Sequence, residues 1–153
     1  MSIFVEQYDR MQRWYKKFSD IDKGRSHDTP SENYVDDIYA FFQNAYHLKD
    51  WIKNDLAVPA HVQSAVEQHI NNNRSLELCA DICNSLKHLD LARPRSGEVP
   101  TFGKKVFGLN IGGGPTTISL KYEVVIKAGN IDAFGLASDC VKAWDAFRAT
   151  HQI

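Results

Sequence analysis

The chain has 153 residues, 43% of them hydrophobic and 24% charged, enough for one sizeable core and too short for two ordinary domains. With 18 basic and 19 acidic side chains the formal charge is -1, which excludes a global field that draws the protein to nucleic acid or to an anionic membrane. Charges scattered from Glu6 onward exclude a signal-peptide core, and no apolar run reaches bilayer-spanning length, so a soluble cytoplasmic protein without membrane contact is expected.

Phe4, Tyr8, Met11, Tyr15 and Phe18 recur at alternating steps of four and three, one stripe of a first amphipathic helix. The polar stretch SDIDKGRSHD breaks it. TPSE then predicts a helix start, with Thr29 as cap, Pro30 at the first helical position and Glu32 closing a capping box. The second helix runs from Pro30 to Asn54 with Tyr34, Ile38, Phe41, Phe42, Ala45, Leu48 and Ile52 inward. Pro59 opens a shorter third helix with Val62, Val66 and Ile70 inward, stopped by the Asn run at 71–73. Asn73 or Ser75 caps a fourth, whose core stripe is Leu78, Cys79, Ile82, Leu86 and Leu89.

After ARPRSGEVP the period changes to two. Ile118, Leu120, Tyr122, Val124 and Ile126 alternate with more polar positions, and Phe107, Leu109 and Ile111 alternate before them. IGGGPTT lies between the two runs. It lacks the Gly-Lys-Ser/Thr ending of a phosphate loop and predicts a hairpin turn instead. From about Asp132 a last helix places Phe134, Cys140 or Val141, Trp144 and Phe147 on one side. The fold class is therefore mainly α: a single domain over 1–153, a bundle of four to five helices with a β-hairpin at about 104–127 inserted before the last helix. Cys79, Cys83 and Cys140 all fall in apolar helical contexts, as reduced thiols do, without the spacing of a zinc finger.

Chemistry can be sought on two helical stripes. At 100° per residue, Glu77, Asp81, Asn84 and His88 align on the fourth helix, away from its core stripe, and Asn44, His47 and Trp51 align on the second. If those helices run parallel, two His and two Asn gather beside an outward Trp. Each stripe is equally what an ordinary solvated face carries. Neutral His near pH 7 suits metal-independent cleavage of RNA by its own 2'-hydroxyl. His47 with Asp50 and Asp81 with His88 are metal-ligating types, yet the Glu-x-x-His pairs of di-iron bundles are missing, and no cofactor is expected. Trp51 suits protein docking. On the first helix, Arg10, Arg13 and Lys17 share a side next to Trp14, a face able to meet phosphates and stack on a base, or to pair with neighbouring acids.

With YVDDIYAFFQNAYHLKDW on one long helix and DICNSLKHL on another, the chain resembles the HEPN domains of prokaryotic defence and toxin systems over residues 30–91. Their motif is Arg, a polar residue that is often Asn, three residues, then His. Asn84 and His88 stand at the matching positions, and Cys83 stands where the family has Arg. The resemblance implies a homodimer whose groove binds or cleaves RNA or a nucleotide, in phage defence or a toxin–antitoxin system. His88 would transfer the proton, with Asn84 orienting it and His47 nearby. Lys87, Arg93 or Arg95 would replace the missing charge, and Asn44, Trp51 and Asp81 would contact substrate or partner. The alternative is a non-catalytic helical domain that mediates protein association.

Overall fold

The computed structural model describes residues 1–26, 28–88, 93–110 and 117–153, and their side chains except those of 31, 87, 88 and 104–110. Five helices, α1 (Phe4–Lys23), α2 (Ser31–Asn54), α3 (Ala60–Asn71), α4 (Arg74–His88) and α5 (Ala133–His151), carry a small antiparallel sheet of β1 (Arg25–Ser26), β2 (Thr101–Asn110), β3 (Thr117–Ile126) and β4 (Gly129–Asp132). The expected bundle with strands ahead of the last helix is the architecture found. The expected hairpin is β2 with β3; its GGGP turn lies outside the described residues.

The helical stripes of α1 and α2 become the core. Phe4, Met11 and Phe18 are buried, as are all seven inward residues assigned to α2. Aromatic rings dominate the contact: Phe18 meets Phe41, Phe42 and Phe134, and Tyr15 stacks on Phe134 with centroids 5.4 Å apart. Such tilted and edge-on pairs match the negative ring face to the positive edge. α5 joins this core through Trp144, whose indole Nε1–H donates to the Ala45 carbonyl at 3.0 Å.

β3 is the central strand. One edge pairs with β2; the other holds β1 beside Thr117–Ile118 and β4 beside Glu123–Ile126. Its alternation survives packing, since Ile118, Leu120, Tyr122 and Val124 are buried, and the sheet rests on α1 and α5. Lys121 crosses to the buried Asp22 of α1 at 2.5 Å. Near the start of β2 the pairing slips between Phe102 and Lys105. Gly103 belongs there: a Cβ would stand 2.4 Å from Val125 Cγ2.

Several caps differ from the sequence expectation. α2 begins at Ser31, with Pro30 as its N-cap and no side-chain cap, because Thr29 sits one position too far out; its hydroxyl instead accepts from Asn33 Nδ2. Asn73 gives only its carbonyl to α4, accepting from Leu76 and Glu77 N–H. Its side chain turns back to the His69 carbonyl at the end of α3. Asp132 does cap α5, accepting from Gly135 N–H at 2.7 Å. The start of α1 is capped from a distance: buried Asp55 accepts from Phe4 N–H through Oδ2 and from Ala57 N–H through Oδ1, each at 2.9 Å. Burial alone would raise the Asp55 carboxyl, yet the N–H groups of Phe4, Ala57 and Ile3 outweigh it and hold it below the ordinary carboxylate value.

Candidate functional site

The stripe on α2 is faced by α1. Gln7, itself buried, donates from Nε2 to both the carbonyl and the Oδ1 of Asn44, at 2.9 and 3.0 Å, and Asn44 Nδ2 donates to the Ala40 carbonyl. Asn44 is thereby a helix-pairing residue. One turn on, His47 is exposed. Trp51 is not the outward ring the stripe predicts: it is half-buried against the core, with the Arg10 guanidinium 5.4 Å from its centroid. Arg10 also binds Glu6 and Gln7, and Lys17 lies over Trp14 at 4.2 Å. Those two cations of the first helix's basic face are thus occupied within the helix or against α2.

The stripe on α4 meets different neighbours. Asp81 is 1% exposed, which corrects its placement on a solvated face. Its Oδ1 accepts from Arg95 N–H at 2.7 Å, and its Oδ2 from Ser96 N–H at 2.7 Å and from the Ser96 hydroxyl. Both oxygens are filled, so Asp81 is a strap for the segment after α4 and not an open contact for substrate. Arg95, expected to supply charge to a ligand, runs to Glu67 of α3 at 2.9 Å. Burial would raise the Glu67 carboxyl, but Lys53 and Arg95 together hold it below its ordinary value. Arg74 donates to the Ser96 carbonyl and reaches Glu98 at 3.6 Å, and Glu98 accepts from Lys127 N–H at 2.7 Å. The strap so links α3, α4 and the turn between β3 and β4.

Asn84 is half-buried and Arg93 exposed, whereas the side chains of Lys87 and His88, at the end of α4, lie outside those described. Cys83 is 7% exposed. The position where the HEPN motif has its Arg is therefore largely shielded from solvent. Leu86, expected inside, is 39% exposed, and Cys83 is the last buried residue of α4 among the described side chains. The described contacts tie Asn44 and Trp51 to α1 and Asp81 to residues 95–96, and none of them joins the two stripes. Among the described residues, no group of three or more His, Cys, Asp or Glu could hold a metal ion. Among the described residues, no helix is long and apolar enough to cross a membrane.

A different surface stands out where α1 begins and α2 ends. Ile3 is 59% and Leu56 fully exposed, and Met1 projects beside them. Ile3 lines a cleft of about 290 Å³ with Asp50, Trp51 and Asn54, and a second of about 650 Å³ with Val5, Glu6 and Asp9 among its walls. Asp55 fixes this geometry by tying the first turn of α1 to the end of α2. In the sequence, only the stepwise outlying position of Ile3 and Leu56 relative to the helical stripes hinted at it. No protein-family model matches the chain, and no curated protein and no solved structure is significantly similar to it.

Proposed function

We propose that this protein is a HEPN-like helical domain that works by binding a protein partner, without cutting RNA. The observation that carries this is the exposed Ile3 beside the half-buried Trp51 in one cleft, with Leu56 fully exposed just past the end of α2, since exposed apolar side chains beside a cleft are what a docking partner covers. The burial of Cys83 supports it further: a buried thiol supplies no fixed positive charge to a phosphorane-like transition state.

RNA binding or cleavage by a homodimer, in phage defence or a toxin–antitoxin system, is the second reading. The Asn84–His88 spacing at the end of α4, with Asn84 partly open to solvent, favours it. One experiment separates the two. Wild-type and His88→Ala proteins are incubated with total RNA, and cross-linked partners are identified from cells carrying wild-type or Ile3→Ser, Leu56→Ser protein. Intact RNA in both incubations, with a cross-linked protein lost from the double variant, is expected. RNA cleavage that disappears in His88→Ala would overturn the non-catalytic reading.

A further inference from the structure

We infer that the two clefts joined at Ile3 are a docking surface for a basic amphipathic segment of another protein, its apolar side chains on Ile3 and Trp51 and its Lys or Arg residues toward Glu6, Asp9 and Asp50. The inference rests on the protein-binding reading above and names the chemistry of the partner.

Charge decides the occupant. The charged side chains lining the clefts are Glu6, Asp9 and Asp50, all acidic, and the α-ammonium of Met1 on the second cleft offsets only part of them. Two have basic neighbours, but the acids stand outward. The Glu6 side chain is 63% exposed against 35% for Arg10, which lies on Trp51, and Asp50 is 51% exposed against 13% for Lys49. A partner approaching the clefts meets carboxylates first, around an apolar floor. An apolar stripe flanked by cations satisfies both, as helix-in-groove recognition does.

The same charges disfavour other occupants. A second copy docked through this patch about a two-fold axis would set acid against acid. An anionic membrane or an RNA strand carries the sign already present.

The test uses fluorescence anisotropy with the full chain and labelled helical peptides of about 15 residues, long enough to hold a helix on docking. One has a Leu stripe flanked by Lys, one the same stripe flanked by Glu, one flanked by Gln, and one scrambles the Leu stripe. The Lys peptide is expected to bind at least about tenfold more tightly than the Glu and scrambled peptides, a difference of roughly 1.4 kcal/mol. Ile3→Ser should weaken it by about tenfold or more, and Asp9→Lys by severalfold, with further weakening as salt rises. Ile3 occupies the N-cap of α1, where its side chain makes no bond, and Ser is a preferred N-cap, so that variant keeps its helix; circular dichroism verifies it.

Failure of the Lys peptide to bind, or binding untouched by Ile3→Ser and Asp9→Lys, overturns the inference. If the Gln and Glu peptides bind as tightly as the Lys peptide and all are lost in Ile3→Ser, the basic partner is refuted and protein docking stands. Ile3-dependent binding of anionic vesicles or single-stranded RNA in place of peptide refutes both, and a dimer in sedimentation that Ile3→Ser dissociates refutes the basic partner in favour of a second copy.

Discussion

Replacing Asp81 with Ala tests whether this residue is a strap or a ligand contact. The change removes the acceptor for two backbone N–H groups and one hydroxyl, at 95 and 96. A hydrogen bond to a charged group contributes about 1.5–3 kcal/mol, and a buried donor left unmatched costs about 1–3 kcal/mol. Arg95 and Ser96 are partly exposed, so water recovers part of that, and a net loss of roughly 2–4 kcal/mol follows. For a domain of this size each kcal/mol moves Tm by about 2–4 °C, giving a fall of about 5–15 °C. Asp81→Asn should lie between, since an amide keeps one acceptor and turns its NH2 toward the other donor. Ser96→Ala, which loses the hydroxyl's bond to Asp81 and its acceptance from Glu98 N–H at 3.1 Å, should cost about 1–2 kcal/mol. Thermal unfolding followed at 222 nm gives the values, and hydrogen exchange at 95 and 96 gives the location. A Tm within about 2 °C of wild type for Asp81→Ala, with unchanged exchange, would refute the strap.

Three further substitutions probe other links. His69 donates from Nε2 to the Ala143 carbonyl at 2.8 Å, leaving Nδ1 toward the Asn73 amide; burial first, then His151, lowers its pKa below the ordinary 6.5 against the pull of that carbonyl. The unfolded chain binds the proton more readily, so stability should be full above 6.5 and fall as pH drops below it, and His69→Gln should flatten that slope in urea titrations between pH 5 and 7. Gly103→Ala drives a methyl into Val125, and a loss of about 1–3 kcal/mol in chemical denaturation is expected, with a neutral result showing that the β2 slip tolerates a Cβ. Cys83→Arg places the Arg of the HEPN motif at a 7% exposed position, and should lower stability by at least about 3 kcal/mol without creating ribonuclease activity. RNA cleavage that appears with Arg and vanishes with His88→Ala would mean that the position opens onto the reacting phosphate.

Local periodicity carried most of the fold. The stripes of α1, α2 and α3 and the alternation of β3 are each set by neighbours within a few residues, and they are the faces found packed on the core, with Tyr8, Tyr15 and Ile126 only half-buried. β1 and β4 are too short for a period to register, being two and four residues, and exist because β3 has a second edge to fill. Long-range capping was illegible for the same reason: nothing near Phe4 announces that a carboxylate 51 positions away accepts its N–H. Asp81 sharpens the point. The helical wheel correctly directed it away from Cys79, but direction does not say whether water or residues 95 and 96 wait there. Ile3 and Leu56 lie outside every stripe, and nothing local to them says whether a neighbouring element covers them; they stand in solvent.

That distinction bears on how far the Asn84–His88 spacing can be carried. Over Leu76–Cys83, α4 is buried on most sides: Leu76, Cys79, Ala80 and Cys83 on one, Leu78 and Ile82 beside them, and Asp81 under the strap. Glu77, Asn84, Ser85 and Leu86 are the described side chains of Leu76–Leu86 that keep appreciable exposure. A helix enclosed to this degree is a core element. An RNA cleft on it would have to open next to Asn84, drawing its charge from the exposed Arg93 or from Arg95 once released from Glu67. The surface around Ile3 needs no such rearrangement. Its apolar side chains are already in solvent and its acids stand outward of Arg10 and Lys49, so a partner docking there displaces at most exposed ion pairs, which contribute little, and this is the physical ground for proposing recognition ahead of catalysis.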